Sequence, residues 1–131
     1  MPCSVVVRPE ARVAVITCTG HTTGAELLDA CRVVTDDPAW EGGFAELWDL
    51  LGAPEVDVQP DEITALVAQA RRLADRLQPC RVAFVTQREP VALLVRLFEL
   101  FTLDLGRTYR TFLTREDAAA WLSVPLDAIE A

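Results

Sequence analysis

Residues 80–113, CRVAFVTQREPVALLVRLFELFTLDLGRTYRTFL, decide the fold of this chain. Residues 80–86 form an almost continuous apolar run between Pro79 and Pro90, which is typical of a central strand that is buried on both faces. Residues 90–105 have the apolar periodicity of a helix, and residues 108–113 have the composition of a strand. This order predicts a right-handed crossover between two parallel strands.

The helix at 90–105 is more apolar than one contact with a sheet requires. At the angular spacing of a helix, its apolar residues fill an arc of about 220°, whereas a surface helix needs a stripe of about 100°. Arg96 and Glu99 occupy the remainder, and only Asp104 breaks the arc. The helix is therefore expected to bury a second face. The candidate partner- or ligand-binding residues on it are Leu94, Leu97, Phe98, Phe101 and Leu105.

Leaving this second face in water would be costly. Each large apolar side chain forfeits about 1.5–3 kcal/mol when it is exposed, and four of them together approach the ~5–15 kcal/mol stability of a whole domain. Three alternatives remain open for what covers the face. They are burial inside the monomer between the sheet and adjoining helices, a homodimer interface, and a pocket for an apolar small molecule.

The rest of the chain continues the alternation of strands and helices. Pro9, Glu10 and Ala11 separate the first two strands and predict an antiparallel hairpin. Thr23 and Glu26 have the spacing of a capping box at the start of a helix. In order, we expect strands at 4–8 and 12–19, a helix at 23–36, a strand at 44–51, a linker at 52–60 and a helix at 61–77. The strand–helix–strand unit of residues 80–113 follows, and then a last helix that begins at 114 and is closed by 123–125.

The predicted order is ββαβαβαβα, which favours an α/β fold with five strands, four helices and a mostly parallel mixed sheet. With 131 residues the chain is expected to form one domain over residues 1–131, with its core at about 4–123. The net charge of −8 argues against binding to nucleic acid or to an anionic membrane surface. No stretch reaches the ~20 apolar residues of a membrane span, and the N-terminus lacks the basic region of a signal peptide.

The cysteines and the single histidine predict neither a metal site nor an enzyme. The four cysteines form no C-x-x-C pair, and one histidine is too few for a typical zinc site. We therefore expect reduced thiols, a cytoplasmic location and no cofactor. Cys18 and His21 are the nearest approach to a nucleophile and base, but no third group orients them, which favours a solvated loop histidine.

Asp49 is a further candidate ligand residue. It closes the predicted third strand, at the carboxyl edge of the sheet, where open α/β sheets bind ligands. An acidic residue that caps the following loop is the alternative interpretation of this position.

Several local strings resemble a known family. They are DDPAWEGG at 36–43, ELWDL at 46–50, VDVQPDEITALV at 56–67, and the long stretch 81–122. Together they resemble the SpoIIAA-like branch of the STAS superfamily, the fold of anti-anti-sigma factors, over about residues 5–122. The resemblance implies a STAS-like single domain and a non-enzymatic regulatory or protein-interaction role.

The family's phosphorylation switch is not expected in this chain. The family carries a phosphorylatable serine in an Asp-Ser-x-Gly-like turn between the third strand and the next helix, where this chain has VQPDE at 58–62. Ser4 and Ser123 are its only serines, and both are remote from this position. Thr64 is the nearest hydroxyl, but acidic neighbours disfavour an added phosphate there.

The sequence thus favours a non-enzymatic, STAS-like regulatory or interaction module that forms a homodimer. The alternative is a carrier or sensor of an apolar, lipid-like small molecule, as in SEC14-like folds. Such a ligand is expected between the apolar helix and the carboxyl edge of the sheet.

Overall fold

The computed structural model describes residues 3–73 and 79–130. Within these residues one five-stranded sheet has the strand order β1-β2-β3-β4-β5. The strands are β1 (Cys3–Arg8), β2 (Val13–Thr23), β3 (Ala45–Asp57), β4 (Cys80–Val85) and β5 (Arg107–Phe112). The β1–β2 pair is antiparallel and the other three pairs are parallel, which confirms the predicted mixed sheet.

The helices follow the predicted order, with one addition. They are α1 (Gly24–Asp36), α2 (Pro60–Arg72), α3 (Glu89–Phe101), α4 (Arg115–Leu122) and α5 (Leu126–Glu130). The prediction of four helices is therefore wrong, because the short α5 is a fifth helix. Its Ile129 is buried, so the core extends past residue 123. The predicted continuation of the second helix to residue 77, with Ala74, Arg76 and Leu77, lies outside the described residues.

The sheet lies between two helical layers because alternate side chains of each strand point to opposite faces. On one face Ile16, Trp48 and Val82 pack in a cluster that α1 and α3 complete. On the other face Leu47 and Val85 pack in a cluster with residues of α4 and α5. The strand at 80–85 contributes to both clusters, so it is buried on both faces as its sequence predicts.

Side-chain caps fix where α1 and α2 begin. Thr23 Oγ1 accepts a hydrogen bond from Glu26 N at 3.3 Å, and Thr23 N donates to Glu26 Oε1 at 3.2 Å, which confirms the capping box. The carboxylate of Glu62 accepts from Gln59 N at 2.8 Å and from Ala25 N at 3.0 Å. One side chain therefore satisfies backbone donors at the first turns of both helices.

β2 and β3 are longer than the sequence predicts. Parallel pairing continues through His21 with Glu55 and Thr23 with Asp57, so residues 52–57 of the predicted linker belong to a strand. The register shifts on either side of Thr19, and Gly20 has a φ of 70° at this irregularity. Hydrogen bonding to a neighbouring strand overrides the weak local strand preference of these segments.

α3 ends earlier than predicted. The helix stops at Phe101, a 3₁₀ turn follows at Leu103–Leu105, and Gly106 has the left-handed φ of 72°. The hydroxyl of Thr102 donates to Phe98 O at 2.9 Å and occupies a carbonyl of the last helical turn. Leu105 therefore lies outside the helix to which its sequence spacing assigns it.

None of the described helices combines the length and apolar character needed to cross a bilayer.

Candidate functional site

α3 divides its apolar residues between the interior and the surface. Val91 and Val95 are buried, and Leu94 and Phe98 are half-buried. The remaining large apolar residues are exposed by 62%, 38%, 50% and 51%, at Leu93, Leu97, Leu100 and Phe101 respectively. These four residues, which we call the α3 outer face, follow the i, i+4, i+7, i+8 spacing of one helical face. Burial inside the monomer is therefore the wrong interpretation for Leu97 and Phe101.

The inner side of α3 borders a cavity of about 120 Å³ between the sheet and helices α1, α2 and α3. Most of its wall is apolar and includes Leu27, Trp48, Leu66, Leu94 and Phe98. The Phe98 ring meets the Tyr109 ring edge-on, with centroids 5.6 Å apart at 83°. On the outer side α2 covers the cavity loosely, because Ala70 is the only buried residue of that helix.

A buried ion pair lies in the mostly apolar wall of the cavity. The guanidinium of Arg107 donates through Nη2 to Glu46 Oε2, and each side chain is only 9% exposed. Glu46 Oε1 also accepts from Trp48 Nε1 at 3.2 Å, and Arg107 Nε donates to Cys80 Sγ at 3.4 Å. Burial alone would lower the pKa of Arg107, but the carboxylate of Glu46, together with Tyr109 and Cys80, outweighs burial and holds that pKa above its usual range. Arg107 is therefore fully charged, and Glu46 neutralises it.

Tyr109 also lines the cavity, but water in the cavity cannot reach its hydroxyl oxygen. Its Oη is buried and has no hydrogen-bond partner of acceptable geometry among the described residues. The nearby Thr102 hydroxyl donates to Phe98 O and keeps its oxygen lone pairs, and it is the side chain with which the phenol interacts. Burial raises the pKa of Tyr109, against the opposing influences of Arg107 and Thr102, so the phenol remains a neutral hydrogen-bond donor.

Asp49 lies on the opposite face of the sheet from this cavity. The prediction that it closes the third strand is wrong, because β3 continues to Asp57. Its buried carboxylate accepts from Arg115 Nε of α4 at 2.5 Å and from Leu51 N at 3.1 Å. The sheet separates Asp49 from α3, so this residue anchors α4 instead of joining the candidate site.

The structure thus separates the candidates on α3 into two surfaces. Leu94 and Phe98 line the cavity, whereas Leu97 and Phe101 lie on the α3 outer face. Leu105, in the 3₁₀ turn, is half-buried and belongs to neither surface. Beside that turn, Arg71 of α2 donates to Asp104 Oδ2 at 2.8 Å and to Phe101 O at 2.9 Å. This contact joins the ends of α2 and α3.

Glu46 and Arg107 are charged residues of the cavity wall that the sequence reasoning missed. One signal for them was present, since Glu46 interrupts an apolar strand that packs on both faces. A charge in such a strand is rarely left without a partner. The partner is 61 residues away in sequence, and no local pattern identifies it.

The thiols lack the environment of catalytic nucleophiles. Cys3 and Cys18 are cross-strand partners with Sγ atoms 2.6 Å apart, and burial raises the pKa of both. The same cause raises the pKa of Cys31 to about 12.

His21 lies in β2, not in the loop that its sequence predicts, and its Nδ1 is 2.9 Å from Glu55 Oε2. Within residues 3–73 and 79–130, no three histidine, cysteine or acidic side chains come together as a potential metal site.

Comparison with known proteins gives a fold and no more specific assignment. No protein-family model matches the chain, and no curated protein matches it. A solved structure that does match is an uncharacterized protein from the DUF3478 family with a SpoIIAA-like fold, from Shewanella loihica PV-4. The TM-score is 0.61 at 14% sequence identity, over 92% of this chain and 91% of that one. The chain therefore has a SpoIIAA-like fold, as the resemblance in its sequence indicates.

Proposed function

We propose that this protein is a non-enzymatic, STAS-like interaction module that forms a homodimer through the α3 outer face. The observation that carries the proposal is the exposure of Leu93, Leu97, Leu100 and Phe101 on one side of one helix. Contiguous apolar patches of this kind are uncommon on monomeric proteins and mark interaction surfaces. Because one helix supplies the whole patch, a two-fold axis across α3 brings the same residues of two copies together.

Local charge is compatible with this self-association even though the chain carries a net charge of −8. Beside the α3 outer face, Arg96 Nη1 is 2.9 Å from Glu99 Oε1, so the charges on α3 at this border compensate each other. Two copies that meet here bring neutral pairs and apolar side chains together. We expect this dimer in a reducing, cytoplasmic setting, consistent with four free cysteines.

Sedimentation velocity over a range of protein concentrations tests the dimer, with Leu97→Asp as the disruptive variant. A buried leucine contributes about 1.5–3 kcal/mol, and a symmetric dimer loses this contribution twice. The dissociation constant of the dimer should therefore rise by roughly 100-fold or more. Leu113→Asp is the matched control, since Leu113 is 65% exposed and lies outside the α3 outer face. A wild-type chain that stays monomeric at the highest concentration refutes the proposal, as does a Leu97→Asp variant that dimerises normally.

A second candidate function is a carrier or sensor of an apolar small molecule, and the cavity beneath α3 favours it. Native mass spectrometry of the purified protein is the direct test. A non-covalent adduct that disappears when the cavity is filled by substitution would support it. A bare chain mass in every preparation would argue against a tightly held ligand.

We further propose that the module works without a phosphorylation switch. Thr64, the hydroxyl nearest to the family's phosphoserine position, donates to Pro60 O at 3.2 Å within α2. A phosphate there would face the acidic residues of the first helical turn, Asp61 and Glu62. Phosphopeptide mapping of protein isolated from cells checks this, and stoichiometric phosphate on Thr64 would overturn it.

A further inference from the structure

Cys3 and Cys18 face each other across the antiparallel pair of β1 and β2. They are directly opposite in the register, they belong to the same core cluster, and their Sγ atoms are 2.6 Å apart. The Cα atoms of opposite residues in an antiparallel pair lie about 4.5–5.5 Å apart, which falls within the ~4.4–6.8 Å that a disulfide spans. The backbone therefore already holds both sulfurs where a bond between them requires them.

Among the described residues, these are the only two thiols in mutual contact. Cys31 lies on α1, and Cys80 begins β4, where its sulfur accepts from Arg107 Nε at 3.4 Å. All four cysteines are free in the structure. An oxidant therefore meets one preformed pair, and the other two thiols have no partner thiol.

The two sulfurs of the pair differ in how readily they react. Cys3 is 8% exposed and begins β1, an edge strand, whereas Cys18 is fully buried. Burial raises the pKa of both thiols, but the hydrogen bond between them partly offsets burial at Cys3 and adds to it at Cys18. Because the thiolate is the reactive form, Cys3 is the first of the two to be oxidised.

We propose that Cys3 and Cys18 are a redox-sensitive pair that a hydroperoxide converts into a cross-strand disulfide, which fastens β1 to the sheet. With hydrogen peroxide, the Cys3 thiolate attacks one oxygen, the O–O bond breaks, and a sulfenic acid forms while the other oxygen leaves as water. The Cys18 sulfur then attacks the Cys3 sulfur, the S–O bond breaks, and a second water leaves with the Cys18 proton. Two thiols and one peroxide thus give one disulfide and two waters.

The bond acts on a strand that has a single neighbour in the sheet. β1 pairs only with β2 within the described sheet, so its attachment depends on that one ladder. A covalent link between residues 3 and 18 restricts the unfolded chain and, in the loop-entropy model, lowers the unfolding equilibrium constant by roughly 30- to 1,000-fold. A thiol reductant reverses the effect. The stability of the β1 edge thereby follows the redox state of the surroundings.

The inference is independent of the dimer and of the carrier function. Neither Cys3 nor Cys18 lies on the α3 outer face, and neither lines the cavity. Failure of either proposed function leaves the thiol pair in place, and failure of the pair leaves both functions in place.

Counting thiols in the full chain tests the bond. Reduced protein is exposed to hydrogen peroxide at neutral pH, alkylated in denaturant and weighed by mass spectrometry. We expect two of the four thiols to escape alkylation, a link from Cys3 to Cys18 within one chain, and recovery of all four thiols with dithiothreitol. Cys18 and Cys31 share the tryptic peptide 13–32, so fragment ions must locate the bond. Four alkylated thiols, a different link, a bond between two chains, or sulfinic acid at Cys3 without a link overturns the proposal.

Three variants assign the effect to the pair. Cys18→Ala should abolish the link, and Cys3→Ala at the edge strand provides the same test if the buried substitution prevents folding. Cys31→Ala is the matched control and should form the link as the wild type does. Urea unfolding of oxidised and reduced wild type should differ by the stated factor, and the difference should vanish in Cys3→Ala. A linked protein with the stability of the reduced one contradicts the fastening of β1.

Discussion

Arg107→Leu tests whether the buried ion pair is an interdependent unit. The Glu46 side chain is only 9% exposed beside Arg107, and the substitution leaves Trp48 Nε1 as the remaining side-chain donor to its carboxylate. Removing one partner of a buried pair typically costs about 3–5 kcal/mol, because the other charge is left uncompensated. We therefore expect the free energy of unfolding to fall by about that amount at neutral pH, which is a large share of the ~5–15 kcal/mol of an ordinary domain.

Urea denaturation followed by tryptophan fluorescence and far-UV circular dichroism, at one fixed protein concentration, measures this loss. Glu46→Gln combined with Arg107→Leu should recover most of it, since the neutral amide still accepts from Trp48 and leaves no buried charge. Arg71→Leu is the control for an exposed pair, because Arg71 and Asp104 are about half and two-thirds exposed and solvent screens them. The reasoning is refuted if Arg107→Leu costs less than about 1 kcal/mol or if the double variant is no more stable than it.

Three further perturbations have outcomes that follow from single contacts. Thr23→Ala removes the cap of α1 and should lower the free energy of unfolding by about 1 kcal/mol in urea; an unchanged midpoint contradicts the capping argument. Gly24→Ala places a Cβ 2.6 Å from Glu62 Cβ, so α1 and α2 must separate, at about 1–3 kcal/mol; wild-type thermal stability would show that they adjust freely. Burial raises the pKa of Cys31 to about 12, whereas an unfolded thiol titrates near 8.5. The folded state therefore holds the proton longer, and this thiol should lower the free energy of unfolding above pH ~8.5 by up to ~1.4 kcal/mol per pH unit; Cys31→Ala should reduce the observed slope by that contribution.

The type and order of most elements followed from local sequence because their signals are local. The apolar run at β4 and the helical spacing of α3 each identify an element without reference to the rest of the chain. The capping pair Thr23 and Glu26 likewise lies within one turn. These features depend on burial of side chains that are neighbours in sequence, so periodicity captures them.

The errors arose where partners distant in sequence determine structure. Residues 52–57 contain Gly52, Pro54 and acidic residues, a composition typical of a loop, yet pairing with β2 holds them in a strand. α5 is too short for a periodic signal and is stabilised by contact of Ile129 with the second core cluster. Local propensity is weaker than such tertiary contacts.

The candidate site was predictable only in part. The sequence identified α3 as the element with excess apolar surface, and the structure divides that surface between Leu94 and Phe98 inside and Leu97 and Phe101 outside. The ion pair of Glu46 with Arg107 could not be predicted from the sequence. Both residues lie on strands, and nothing in either segment indicates that they face the same cavity.

The loose attachment of α2 has a consequence for the kinetics of the protein. Ala70 is the only fully buried residue of this helix, and its other apolar residues are at most half-buried, so it loses less contact when it detaches than the sheet, which contains fully buried side chains such as Ile16 and Leu47. Local openings with few buried contacts have the lowest free energies in a folded protein. Backbone amides of residues 60–72 should therefore exchange with deuterium well before those of β2 to β4. Detachment of this helix would widen access to the cavity beneath it without requiring the domain to unfold.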